Sequence, residues 1–98
     1  MREHVVRVET EAEVEFNAWY DQEHIPLLSQ VPGVLSARRF RTGEGTHTYV
    51  ALYHLASPEV STSVPWSQAL QTPWAVKIDP HLRDRLHLVF ARYEANHA

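Results

Sequence analysis

The chain has 98 residues, of which 44% are hydrophobic and 21% charged, and its formal net charge is −3 with seven histidines counted as neutral. This length suits one domain, and the composition excludes wholesale disorder. The weakly acidic balance lacks the basic surface that nucleic acids and anionic membranes attract, and the absence of cysteine excludes disulfides and thiolate chemistry.

The sequence contains no hydrophobic segment of the kind that enters or crosses a membrane. No apolar run reaches the ~18 residues of a spanning helix, and the N-terminal residues lack the apolar core of a signal peptide. We therefore expect one cytoplasmic domain over residues 1–98. Because so short a chain buries only a modest core, a partner subunit is a reasonable expectation.

The first two elements are a strand and a long helix. Residues 4–9 form a short β-rich run that predicts an inner strand. Thr10 precedes a glutamate-rich stretch, and Glu13 stands three residues further on, as in a capping box. This pattern predicts a helix over residues 11–30.

One face of that helix combines apolar and polar side chains. At about 100° per residue, the inward stripe contains Phe16, Tyr20, Glu23, His24, Leu27 and Val31, with Trp19 and Leu28 at its margins. Glu23 and His24 are polar groups on an apolar face, so each must be hydrogen-bonded or line a cavity. Pro26 cannot donate to a carbonyl, which predicts a kink or loosened turn at residues 22–26.

The helix is followed by a predicted β-hairpin. Val31-Pro32-Gly33 ends the helix, because Gly33 tolerates a positive φ. Residues 34–41 and 46–55 predict strands two and three, joined by a turn at residues 42–45. On strand three, one face carries His47, Tyr49 and Tyr53, and the other carries Val50, Leu52 and His54. The alternation leaves open which face meets the helix.

The remaining residues predict a broken helical arm and a last strand. Ser57 and Pro58 open the arm, and further prolines interrupt it before residue 83. Residues 85–93 predict strand four. The order β-α-β-β-α-β indicates a ferredoxin-like α+β fold, with a four-stranded antiparallel sheet and helices on one face. The other sheet face is too apolar to leave in water, so we expect a homodimer through it.

Several sequence motifs resemble small bacterial proteins of the dimeric α/β-barrel superfamily, most closely an EthD-like, uncharacterised branch. The motifs are W-Y-D-Q-E-H-I-P at 19–26, V-P-G at 31–33, A-R-R-F at 37–40, T-P-W at 72–74 and P-H-L-R-D-R at 80–85. The resemblance covers nearly the whole chain and implies a pocket between the helices and the sheet of each protomer. The superfamily includes muconolactone isomerases, polyketide cyclases, decarboxylases, cofactor-free monooxygenases and haem-degrading oxygenases, so the fold cannot select a reaction.

The resemblance also bears on individual residues. By position, His24 corresponds to the pocket histidine of EthD-like and methylmuconolactone-isomerase-like members. Strand one lacks the asparagine of the haem-degrading branch, which argues against haem. His24 could act as a general acid or base, with Asp21 or Tyr20 orienting its ring. Alternatively, it is a half-buried histidine that holds the kinked helix end.

Other candidates would complete a pocket for a flat ring. Tyr49 or Tyr53 could stabilise developing negative charge if it faces the helices. The aromatic side chains could form the walls, or they could be core or dimer interface; this set contains Trp19, Tyr20, Tyr49, Tyr53, Trp66 and Trp74. His81, near the end of the arm, is a further candidate for substrate binding. One of the two arginines that flank Asp84, Arg83 or Arg85, could bind a substrate carboxylate, although an ion-pair cluster at the strand entrance is the favoured interpretation. His4, His87 and His97 are expected on the surface.

Together these residues predict a small-molecule enzyme without cofactor or metal, since no two histidines have the helical spacing of a zinc site. The first hypothesis is an acid/base isomerase, cyclase or decarboxylase for an aromatic, lactone or polyketide-like substrate. The alternatives are a cofactor-free monooxygenase and a non-catalytic dimeric ligand-binding or accessory protein. A cavity with His24 and a hydroxyl in its wall favours an enzyme, and one filled by aromatic side chains favours a structural role.

Overall fold

The computed structural model describes residues 1–43 and 47–91. Its strands are β1 (Arg2–Val8), β2 (Val34–Arg41), β3 (Thr48–Leu55) and β4 (Leu82–Val89), and its α-helices are α1 (Glu13–Trp19), α2 (Ile25–Ser29), α3 (Val64–Ala69) and α4 (Pro73–Ile78). A π-turn over Tyr20–His24 joins α1 to α2, and we call residues 13–29 the first helix. Short 3₁₀ turns precede α1, α3 and β4.

The four strands form one antiparallel sheet in the order β2-β3-β1-β4. This order places β1 inside the sheet, as its apolar run predicts. The sheet, the hairpin-connected β2 and β3, and the helical connections confirm the ferredoxin-like α+β fold. Within residues 1–43 and 47–91, no helix is long and apolar enough to span a membrane.

The burial of its side chains shows which face of β3 meets the helices. Tyr49, Ala51, Tyr53 and Leu55 are buried, whereas the alternate residues Val50 and Leu52 are only partly covered. The register places Phe40, Leu86 and Leu88 on the same side as Val50 and Leu52. We call this side of the sheet, which no helix of the described residues covers, the open face.

The π-turn confirms the loosened turn that Pro26 predicts. Its wider hydrogen bond runs from the Ile25 N–H to the Tyr20 carbonyl. A π-turn adds one residue to the helix, which shifts the inward face of the following turns by one position. Leu28 is therefore fully buried where the regular 3.6-residue period predicts Leu27, and Ile25, which is not in the predicted stripe, packs against the core.

The capping box predicted at the start of the first helix is wrong. The Thr10 hydroxyl lies 3.2 Å from the His47 ring nitrogen Nε2 and does not cap the helix. The Glu13 carboxylate instead accepts a hydrogen bond from the Tyr49 hydroxyl at 2.7 Å and contacts His47. Both side chains meet partners on the sheet, which local sequence spacing does not reveal.

The helical arm is broken, as its prolines predict. Its side-chain caps are Ser63 for α3 and Thr72 for α4, whereas Ser57 occupies an N-cap position without a side-chain hydrogen bond. β4 begins at Leu82, three residues before the predicted start, and it includes an irregularity at Asp84, whose φ is 52°. Parts of the predicted hairpin turn, the residue predicted to begin strand three, the end of predicted strand four and His97 lie outside the described residues.

Gly33, at the end of the first helix, is held in the left-handed region with φ 93°. A Cβ atom at this position would lie 2.5 Å from the Val60 Cγ2 atom, so the chain reversal packs directly on the arm. Gly33→Ala is expected to lower the free energy of unfolding by about 2–4 kcal/mol, because the left-handed backbone and the overpacking both penalise an added methyl.

Urea denaturation measures this loss, and Val60→Ala provides the matched background. Removing Cγ2 relieves the clash, so Gly33→Ala should be less harmful in the Val60→Ala protein than in the wild type. Equal losses in the two backgrounds would show that the contact with Val60 is unimportant.

Candidate functional site

A cavity of about 130 Å³ lies between the helical layer and the covered face of the sheet. Every layer of the fold contributes to its wall. The lining residues are Arg2 and His4 of β1, Trp19, His24 and Leu28 of the first helix, Tyr53 of β3, Trp66, Leu70, Ala75 and Asp79 of the arm, and Leu82, Arg85 and His87 of β4.

His24 enters the cavity wall from the last residue of the π-turn. Its ring stacks on Trp19 with 4.3 Å between centroids, and only 4% of the residue is exposed. The Nδ1 atom is buried and has no hydrogen-bond partner among the described residues. Burial lowers the pKa of His24 to about 4, with a smaller contribution from the Arg39 cation, so the ring is neutral at pH 7.

Glu23, the other polar residue of the predicted stripe, is hydrogen-bonded to two side chains. Its carboxylate accepts hydrogen bonds from the Trp19 indole at 2.9 Å and from the Thr72 hydroxyl at 2.7 Å. Glu23 thereby ties the first helix to the N-cap of α4. Of the two polar residues on the stripe, Glu23 is hydrogen-bonded and His24 lines the cavity.

His4 is a site residue that the sequence interpretation wrongly assigned to the surface. Its Nδ1 atom lies 3.4 Å from the Tyr20 hydroxyl, and its ring meets the edge of His87 at 4.3 Å. The Nε2 atom is buried and unpartnered within the described part of the chain. Burial lowers the pKa of His4 to about 3, and the nearby His87 contributes less.

A simple signal could have identified His4. Residues 2, 4, 6 and 8 share one face of β1, and Val6 and Val8 are the apolar members of that face. The alternation therefore assigns His4, and with it Arg2, to the side that the helices cover. His87 lies opposite His4 in the β1–β4 register, which places it in the same wall.

Tyr20 and Tyr53 form a buried pair of hydroxyl groups beside His4. Their oxygens are 3.1 Å apart, and both residues are almost completely buried. Burial raises the pKa of Tyr20 to about 12 and raises the pKa of Tyr53 well above its ordinary value. Both hydroxyls are therefore protonated at neutral pH, and Tyr53 presents the cavity with a potential hydrogen-bond donor.

Two of the three predicted catalytic residues do not accompany His24. Asp21 is exposed, and its carboxylate accepts a 2.6 Å hydrogen bond from Arg39, so it does not orient the imidazole. The Tyr49 hydroxyl donates to Glu13 and accepts a hydrogen bond from Asn17, at the opposite end of the first helix. Tyr53 occupies the position beside the cavity that the sequence interpretation assigned to Tyr49 or Tyr53.

The structure places the aromatic side chains predicted as pocket walls at different distances from the cavity. Trp19, Tyr53 and Trp66 line the cavity, and Tyr20 lies behind Tyr53. Trp74 packs against the core from its partly buried position and is not a lining residue. The aromatic side chains therefore surround the cavity without filling it.

The predicted substrate-binding residues His81 and Arg83 lie outside the cavity. His81 and Arg83 both contact the Glu9 carboxylate, with 3.2 Å between the His81 Nδ1 and a Glu9 oxygen. The ion pairs in this region differ from the cluster expected around Asp84, because Asp84 pairs with Arg7 and Arg85 pairs with Asp79. Within the described residues, no group of three or more histidine, aspartate or glutamate side chains is placed to hold a metal ion.

Comparisons with known proteins establish the fold and leave the reaction open. A family model described as "Domain of unknown function (DUF4286)" matches residues 3–91. No curated protein matches the chain.

Solved structures of antibiotic-biosynthesis monooxygenases share the fold. SnoaB, a cofactor-independent oxygenase from Streptomyces nogalater, matches with a TM-score of 0.68 and 15% identity over 99% of this chain and 95% of that one. A protein described as an antibiotic biosynthesis monooxygenase, from Deinococcus radiodurans, matches with a TM-score of 0.70 and 10% identity over 99% of this chain and 95% of that one. A MhuD mutant with two manganese protoporphyrin IX molecules per active site matches with a TM-score of 0.69 and 17% identity over 96% of this chain and 97% of that one.

The buried imidazoles make stability depend on pH. Between pH 6.5 and 4, the unfolded chain protonates His24 while the folded chain does not, so the stability present above pH 6.5 is lost as the pH falls. His24→Phe removes this titration and keeps an aromatic ring beside Trp19. We expect the slope of unfolding free energy against pH near 5.5 to be roughly 1 kcal/mol per pH unit smaller in the variant.

Urea titrations at several pH values between 4.5 and 6.5 measure this difference. The two proteins have the same carboxylates, so the titration of those groups cancels in the comparison. NMR of the labelled imidazoles provides an independent reading. Equal slopes in the two proteins, or a His24 ring that titrates near 6.5, would contradict the buried, neutral assignment.

Proposed function

This chain belongs to the family described as "Domain of unknown function (DUF4286)", and we propose that it is a cofactor-independent oxygenase of a flat, enolisable or phenolic small molecule. The observation that carries the proposal is the buried neutral imidazole of His24, whose Nδ1 atom has no partner among the described residues, in the wall of a cavity that Tyr53 also lines. The fold shared with SnoaB, which is itself a cofactor-independent oxygenase, supports oxygenation over isomerisation, cyclisation and decarboxylation.

His24 acts as the base in the proposed reaction. The ring takes a proton from a phenol or from a carbon beside a carbonyl group, and the substrate anion that forms stabilises the imidazolium. The anion therefore raises the pKa of His24 from the low value that burial imposes. Trp19 and Trp66 provide flat apolar walls for the ring of the substrate.

The hydroxyl of Tyr53 donates to the oxygen on which negative charge develops. The electron-rich carbanion reduces dioxygen and forms a carbon–oxygen bond. Overall, a CH₂ group becomes C=O, and the second oxygen atom leaves as water. The substrate supplies all four electrons, so the balance requires no separate reductant.

A second candidate is an isomerase, cyclase or decarboxylase that uses the same groups. The paired hydroxyls of Tyr20 and Tyr53 suit these reactions as well as the oxygenation, because a protonated donor beside a base stabilises an enolate intermediate in each of them. Dioxygen uptake separates the two candidates. Binding without turnover would indicate an accessory protein.

We further propose that residues 1–98 form one domain that pairs through its open face as a two-fold dimer. Phe40, Leu86 and Leu88 are each about half exposed there, beside the partly covered Val50 and Leu52. Burial of this apolar area against a second copy removes it from water. Membership of an EthD-like branch and a cytoplasmic location stay predictions.

The oxygenase proposal predicts dioxygen consumption with anthrone or 1-naphthol, measured with an oxygen electrode and by product mass. His24→Gln should lower kcat roughly 100-fold or more, since it removes the base, and Tyr53→Phe should lower it roughly 10-fold or more. Lys77→Gln, on the exposed surface of the helical layer, should leave turnover unchanged.

The outcomes distinguish the candidates. Conversion of these or related enolisable compounds without oxygen uptake would favour the isomerase or cyclase. Full activity in the His24→Gln protein would remove His24 from the reaction.

The dimer proposal predicts a two-chain mass in sedimentation equilibrium. Leu86→Glu should shift the protein towards the monomer, because it buries a charge in the open-face interface. Val76→Glu is the control, since Val76 is an exposed apolar residue on α4 in the helical layer. A monomeric wild type, or equal effects of the two substitutions, would contradict the proposal.

A further inference from the structure

Arg2 is a cation in the cavity wall. Its guanidinium donates to the His87 Nδ1 atom at 3.1 Å and lies over the Trp66 ring, 5.3 Å from the centroid. Neither partner carries negative charge. Among the residues that the structure describes, no carboxylate pairs with Arg2.

The other arginine of the cavity is already neutralised. One Arg85 nitrogen contacts the Asp79 carboxylate at 2.7 Å, and another donates to the Asp79 backbone carbonyl at 2.8 Å. With His4 and His24 neutral, the described wall carries two arginine charges and one aspartate charge. The cavity therefore has one excess positive charge, which belongs to Arg2.

An excess cation in a partly desolvated site is unfavourable until an anion joins it. Burial lowers the pKa of Arg2, which reflects the free energy lost when its charge leaves water. A carboxylate would restore the balance through charge-assisted hydrogen bonds, and its planar shape matches the guanidinium fork. Trp19 and Trp66 line the same cavity and provide apolar surface for the flat part of the same molecule.

We propose that the ligand of this cavity is a flat aromatic or enolic carboxylate and that Arg2 binds its carboxylate group. The inference names the substrate class of the proposed enzyme and rests on that function only in calling the ligand a substrate. Arg2, inside the cavity, takes the carboxylate-binding role that the sequence analysis gave to Arg83, which pairs with Glu9 outside the cavity.

Calorimetric titration with 2-naphthoate and its uncharged analogue 2-naphthamide tests the proposal. The carboxylate should bind roughly 10- to 100-fold more tightly than the amide, as expected for a charge-assisted hydrogen bond in a partly buried site. Arg2→Gln should abolish this preference, and Arg2→Lys should keep only part of it. Lys77→Gln removes one cation that pairs with Glu15 on the exposed helical surface, so it should keep the full preference.

The result that overturns the proposal is equal affinity for the two probes, binding of neither at millimolar concentration, or a preference that survives in Arg2→Gln. If Arg2→Gln does not fold, the comparison of Arg2→Lys with Lys77→Gln decides the question. Because binding is measured without turnover, the proposal can hold when dioxygen consumption fails, and it can fail when dioxygen consumption is found.

Discussion

The packing of the first helix on the tyrosine face of β3 is the constraint on which the rest of the structure depends. Phe16 and Leu28 bring apolar surface to this contact, and Tyr20 and Tyr53 bring large rings with hydroxyl groups. The two hydroxyls bond to each other, so both rings can be buried without stranding a polar group. The π-turn allows the helix to direct both His24 and Leu28 inward, because its extra residue rotates the following turns.

The two ends of this helix–sheet layer differ in how their polar groups are satisfied. At one end, Tyr49 bonds to Glu13 and Asn17, and Arg39 donates to Asn17 and Asp21. At the other end, single ring nitrogens of His4 and His24 are buried without partners among the described residues. An unsatisfied buried polar group costs about 1–3 kcal/mol, so a protein that keeps two of them at one cavity sacrifices stability there. This asymmetry is the physical basis for placing function at the His24 end.

The fold alone does not identify the reaction. Solved structures with this architecture include a cofactor-independent oxygenase and a porphyrin-binding protein, at identities of 15% and 17%. The backbone supplies a covered sheet face and a gap beneath the arm, and the chemistry depends on the side chains that line the gap. In this chain those side chains include neutral imidazoles, the protonated Tyr53 and an arginine without a carboxylate partner among the described residues.

Local sequence signals determined the order of the elements. Proline and glycine restrict the backbone wherever they occur, so Pro26 predicted the widened turn, Val31-Pro32-Gly33 the chain reversal, and the later prolines the broken arm. The periodic spacing of apolar residues predicted the ferredoxin-like order of strands and helices. It also predicted a helix whose inward face includes His24. These features follow from interactions between residues close together in the chain.

Only the tertiary structure decided which side chains meet at the cavity. Both faces of β3 are apolar, so the choice of Tyr53 over Tyr49 depended on where the helices pack. Arg39 reaches Asp21 from another element, and the neighbours of His4 come from the first helix and β4. The extra residue of the π-turn rotates the following turn, so Leu28 is buried where the sequence predicted Leu27. Partners distant in the chain set these contacts, and residue spacing within one element carries no information about them.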